Sequence, residues 1–130
     1  MAVLGVGGVF IKCEDPEASV AWYKDVLGME PNQYGGYDFL HSDSAEAFGP
    51  GGRTIFGHFK TDTDYFGPSA KSFMINLMVD DLDAMIAQLK DKGVPLEGDP
   101  EAYDYGKFAW VMDPNGIKVE LWQPLAPPPS

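Results

Sequence analysis

Cysteine is almost absent from this chain of 130 residues, where Cys13 is the single thiol. An internal disulfide framework is therefore excluded, and the composition agrees with a reducing compartment. Positive charge is scarce as well. Twenty acidic residues stand against nine basic ones, for a formal net charge of −11. So acidic a surface repels nucleic acid and anionic lipid. It serves solubility, and it also favours a cationic ligand. Long apolar runs are missing: the longest falls far short of a bilayer span. No basic-then-apolar leader opens the chain, so the expected compartment is the cytoplasm.

What is present suffices for one compact domain with a real core, since 45% of the residues are hydrophobic. Residues 7–13 are β-branched and aromatic and predict a strand. The period then changes. Asp15 suits an N-cap, Pro16 the first helical position, and Glu17 the positive end of the dipole. Pro16, Val20, Tyr23 and Leu27 share one helical face, and Gly28 stops the helix. Residues 29–34 and 37–42 flank Gly35-Gly36, a two-residue hairpin turn. Residues 42–52 read as a loop, and residues 53–60 alternate like a strand. Residues 61–72 are polar and turn-rich and form a connector.

The order then repeats. Residues 73–79 predict a strand. Asp81 caps a helix with Leu82, Met85, Ile86 and Leu89 on its apolar face, ended by Gly93. Strands follow at 94–97 and 107–112, then the turn Asp113-Pro114-Asn115-Gly116 and a strand at 117–122. Residues 125–130 are a flexible, Pro-rich tail. Val9-Phe-Ile-Lys-Cys-Glu-Asp15 lines up with Ile75-Asn-Leu-Met-Val-Asp-Asp81, and Ile55-Phe-Gly-His58 with Ile117-Lys-Val-Glu120. Duplication of a βαβββ unit explains the matching order, lengths and caps. The first module spans about 5–60 and the second 73–124, in one domain over 1–124.

Strand side chains alternate between faces. The odd positions are aliphatic and should lie under the helices: Val9, Ile11 and Cys13, Ile75 and Leu77, Ile117, Val119 and Leu121. Cys13 is thus expected as a buried, inert thiol. The even positions mix rings with polar groups: Phe10 and Lys12, Phe56 and His58, Asn76, Lys118, Glu120 and Trp122. A concave cleft with a few converging polar groups suits them. Loop and strand aromatics, among them Tyr65, Tyr105, Phe108 and Trp110, flank it and can stack on a planar or cationic ligand. His41 reads as a partly exposed residue on the short strand after Tyr37.

Two βαβββ units, the helix opening Asp15-Pro-Glu-Ala-Ser-Val-Ala-Trp-Tyr-Lys-Asp-Val-Leu-Gly28 and the ending Asp113-Pro-Asn-Gly-Ile-Lys-Val-Glu-Leu-Trp122 resemble the vicinal oxygen chelate superfamily. That superfamily includes glyoxalase I, extradiol dioxygenases and the bleomycin-resistance proteins. The resemblance covers residues 7–124. It implies an α+β fold in which two tandem modules form a curved mixed sheet around a concave cleft, and it implies a homodimer.

The resemblance also places the ligands of metal-using members at Gly8, His58, Met74 and Glu120. Gly8 offers no ligating atom, and Met74 is a poor ligand for hard or borderline divalent metals. About three protein ligands are needed for a catalytic site. No cofactor is therefore expected. Glutathione use is disfavoured, because Arg53 is the only arginine to clamp its carboxylates. The expected function is binding of a small molecule, aromatic or cationic, in an acidic aromatic cleft without a catalytic metal. Its ligand-binding residues are Phe10, Lys12, Phe56, Asn76, Tyr105, Trp110 and Trp122. Two alternatives stay open: a metal-dependent glyoxalase-like lyase or dioxygenase, and a metal-free enzyme with His58 or Glu120 as acid or base. Glu120 is expected to pair with Lys12 or His58.

Overall fold

A computed structural model describes residues 1–49 and 52–125. The tail expected over 125–130 lies, except for Leu125, outside the described residues. Helix α1 runs Pro16–Leu27. The Asp15 carboxylate accepts from the Ala18 amide at 3.1 Å, and Gly28 ends the helix at φ 73°, a left-handed conformation that favours glycine. The short helix α2 spans His41–Phe48. Strand β1, Ile75–Met78, leads into α3, Leu82–Asp91, whose N-cap Asp81 accepts from the Ala84 amide. Strands β2 (Glu101–Tyr103), β3 (Gly106–Met112) and β4 (Lys118–Pro124) complete the chain.

The sheet is open and mixed, in the order β1-β4-β3-β2. β1 runs parallel to β4 with Asn76 opposite Glu120. β3 runs antiparallel to β4 with Trp110 opposite Glu120 and Phe108 opposite Trp122. Alternation then sorts the faces as the sequence predicts for the second half. Ile117, Val119 and Leu121 are all but fully buried. Val119 and Leu121, with Ala109 and Val111, form one core with Tyr23, Val26, Leu27, Leu82 and Leu89 from α1 and α3. Burying such side chains stabilises the fold by about 1.5–3 kcal/mol each.

The β3–β4 turn anchors α1 to this sheet. The Asp113 carboxylate accepts from the Asn115 and Ile117 amides, each at 2.8 Å. Tyr23 Oη donates to its other oxygen at 2.6 Å, and Asn115 Nδ2 donates to Ser19 Oγ at 2.9 Å. Burial and the Asp113 carboxylate both push the Tyr23 hydroxyl well above the ordinary tyrosine range.

The first half departs from expectation. Among the described residues no strand precedes Ile75. Residues 7–13, 29–34, 37–42 and 53–60 carry no ladder, and the turn falls at Gln33-Tyr34, where the Gly35 amide donates to the Asn32 carbonyl at 3.3 Å, rather than at the expected Gly35-Gly36. A strand exists only where another strand takes its backbone groups, and these segments meet none. His41 opens α2 instead of lying on a strand. Cys13 is half-buried rather than covered, because no sheet lies beside it. In the second half, residues 94–97 form no strand and keep one ladder-like bond, Glu97 N–H to the Trp110 carbonyl.

Candidate functional site

The even face of β4 carries Lys118, Glu120 and Trp122, and the sheet register sets their neighbours. Glu120 is only 8% exposed, so its carboxylate needs partners. Asn76, directly opposite on β1, donates through Nδ2 at 2.7 Å to Oε1. Trp110, directly opposite on β3, donates through Nε1 at 2.8 Å to Oε2. Tyr65 reaches in from the connector and donates its hydroxyl to the same Oε2. Three neutral donors thus hold one carboxylate, and with about four lone-pair sites per carboxylate one direction on Oε1 is left for another donor. Burial first, and the Glu120 hydrogen bond second, push the Tyr65 hydroxyl above its usual range, so it stays a donor.

Aromatic rings surround this centre. Phe108 lies parallel to Trp122 at 6.2 Å and nearly parallel to Trp110 at 6.5 Å. Tyr103 and Tyr105 stack at 5.3 Å and meet Phe108 edge-on. Lys118 Nζ donates to the Tyr65 carbonyl and sits over the Tyr65 and Trp110 rings. Arg53 lies over Trp122, 6.0 Å from the ring centre. Trp122 Nε1 is buried with no hydrogen-bond partner among the described residues. A Cβ on Gly106 would come within 2.3 Å of that nitrogen, so the indole can lie flat on β3 only because residue 106 is glycine. A separate cavity of about 310 Å³ opens on the other side of the sheet, beyond β1, lined by Met29, Phe39, Leu77 and Met78 with Asp43 and Asp80.

Of the expected site residues, Asn76, Trp110, Glu120 and Trp122 meet on this face, with Tyr105 at its rim through Phe108. Phe10, Lys12, Phe56 and His58 do not join them within one chain. Phe10 is 96% exposed, Lys12 is exposed, and His58 is exposed beside the Phe56 ring. Glu120 therefore pairs with neither Lys12 nor His58, for the same reason that residues 7–13 and 53–60 form no strand. Tyr65 was legible only as one loop aromatic among several. Its bond to Glu120 depends on where the connector lies.

Among the described residues no three of His, Cys, Asp or Glu gather to hold a metal. The set Gly8, His58, Met74 and Glu120 does not fit one either. Gly8 and His58 are exposed on unpaired segments, and three donors already engage Glu120.

The family model for the Glyoxalase/Bleomycin resistance protein/Dioxygenase superfamily matches residues 5–121. The chain belongs to that superfamily. Its structure is similar to that of TnmS3, an antibiotic binding protein from Streptomyces sp. CB03234, with a TM-score of 0.58 and 25% identity over 96% of this chain and 99% of that one. It is also similar to a glyoxalase/dioxygenase from Nostoc punctiforme, with a TM-score of 0.55 and 14% identity over 97% and 99% of the two chains. Against two other matched structures it spans less than half of their length, 48% and 42%. No curated protein matches it. Superfamily members of this α+β type carry several chemistries on one fold, so function has to be argued from the site.

Proposed function

We propose that this superfamily member binds a planar, ring-bearing small molecule against the Phe108, Trp110 and Trp122 face, without a catalytic metal. The observation that carries the reading is a set of near-parallel rings laid beside a buried carboxylate whose donors are all neutral. Rings favour stacking, and the open Oε1 direction favours a ligand N–H or O–H, most of all a cationic one. Likeness to an antibiotic binding protein over nearly the whole chain supports an antibiotic as the ligand class. In the free chain Tyr65 packs against Trp110 and Phe59. A ligand seated over Trp110 competes with the Tyr65 ring for that indole, so binding displaces the connector from the face. Among the described residues no helix is long and apolar enough to cross a membrane; we place the protein in the cytoplasm and read it as a homodimer.

The test is a titration with planar aromatic antibiotics, cationic and neutral, followed by tryptophan fluorescence and thermal shift. Quenching with a rise in Tm, weakened by Trp122→Leu, supports the reading. A compound that binds equally well to the Trp122→Leu and Glu120→Gln variants sits elsewhere and refutes it.

A further inference from the structure

We propose that Lys118 is a specificity residue of this face: besides the donor that suits Glu120, the bound ring carries a carbonyl-type acceptor oxygen, and Lys118 takes it. This rests on the ring-binding reading above and deepens it by naming the second polar group of the ligand and the residue that reads it.

Alternation puts Lys118 and Glu120 on the same side of β4, two residues apart. Opposite charges so placed can pair, but these do not. Among the described residues the one ion pair joins Lys107 to Asp83. Asn76, Trp110 and Tyr65 donate to Glu120, while Lys118 Nζ donates at 2.7 Å to the Tyr65 carbonyl. The ammonium lies 5.2 Å from the centre of the Tyr65 ring and 5.7 Å from that of Trp110. Ring faces attract a cation but do not neutralise it.

Tyr65 therefore serves both charges at once. Its hydroxyl donates to the acid and its carbonyl accepts from the base. Its ring meets Trp110 edge-on, with centres 6.3 Å apart. The connector that carries it follows the same side of β4: Ser69 Oγ donates to the Gly116 carbonyl at 2.5 Å, the Tyr65 carbonyl meets Lys118, and the Tyr65 hydroxyl meets Glu120. In the free chain this residue thus stands where a ligand with one donor and one acceptor would stand.

A ligand that takes the place of the Tyr65 ring on Trp110 breaks both bonds. Glu120 keeps Asn76 and Trp110. The half-buried Lys118 ammonium loses its one hydrogen-bonded oxygen among the described residues. A charged donor left without an acceptor is costly, and a charge-assisted bond is about twice as strong as a neutral one. A ring that replaces both Tyr65 groups is therefore preferred over one that replaces the hydroxyl alone. The ligand class is a planar ring with an O–H or N–H donor toward Glu120 and an acceptor oxygen toward Lys118.

Three neutral naphthalene probes test this by calorimetric titration: naphthol with the donor alone, acetylnaphthalene with the acceptor alone, and acetylnaphthol with both. Acetylnaphthol should bind about tenfold or more tighter than naphthol. Lys118→Met should bring that ratio close to one, and Lys118→Arg should restore most of it, a rescue that a merely structural role would not show. A wild-type ratio near one overturns the assignment of Lys118; if Trp122→Leu still weakens the probes, the ring-binding reading stands without it. A ratio that survives Lys118→Met gives the acceptor to another group and overturns the assignment too. Should none of the probes bind, this inference falls, while the antibiotic titration above still decides the ring-binding reading. The wild-type comparison is decisive even where a variant does not fold.

Discussion

Glu120 is a single carboxylate whose surroundings are set by two registers and one loop. Asn76 and Trp110 face it because β1 and β3 pair with β4 as they do, and Tyr65 closes the third side. Glu120→Gln keeps the shape but turns one acceptor into a donor, which leaves a buried N–H facing another. Such a change costs about 1–3 kcal/mol. Urea denaturation should show a lower midpoint with unchanged slope, and binding of a cationic aromatic compound should weaken more than that of a neutral one. Gly106 gives a second prediction. A methyl there meets Trp122 Nε1 at 2.3 Å and Cδ1 at 2.8 Å. Gly106→Ala must push the indole off β3, at a cost of about 1–3 kcal/mol. The near-UV circular dichroism of the stacked Phe108–Trp122 pair should change with it.

Helices were the most legible elements. Asp15-Pro16-Glu17 and Asp81 each act as the N-cap their spacing implies, because a cap is a contact over three residues and needs nothing distant. Removing one has a definite effect: Asp81→Ala loses the bond to the Ala84 amide and should lower stability by about 1 kcal/mol, measured by the same denaturation curve. Strands were legible only where a partner existed. The alternation in residues 117–122 placed Val119 and Leu121 inside and Glu120 and Trp122 on the opposite face, as found. The same alternation in residues 7–13 and 53–60 predicted a face that does not assemble within one chain. Pattern specifies which side chains share a face, but not which strand will supply the ladder. The site inherited that division. Asn76, Glu120, Trp110 and Trp122 come from the paired half and meet, whereas Phe10, Lys12, Phe56 and His58 come from the unpaired half and stay apart. The helix α2 has no side-chain N-cap at Leu40 to announce it, and β2 is only three exposed residues, so neither was read.

At the scale of the whole molecule, the two halves are joined by tyrosine hydroxyls. Tyr23 on α1 donates to Asp113 in the β3–β4 turn, and Tyr65 in the connector donates to Glu120 in β4. Both hydroxyls are pushed above the usual tyrosine range, chiefly by burial and then by the carboxylate they serve. An unfolded tyrosine ionises near pH 10. Below that pH both states hold the proton and the stabilising bonds are fully present. Above it the unfolded chain releases protons that the folded chain retains, so folding stability falls as pH rises further. Stability by urea denaturation should therefore be flat with respect to these groups from neutral pH to about pH 9.5 and decline beyond about pH 10. Tyr23→Phe combined with Tyr65→Phe should be less stable at neutral pH and should lose most of that alkaline decline. An undiminished decline in the double variant would show that neither hydroxyl couples folding to pH.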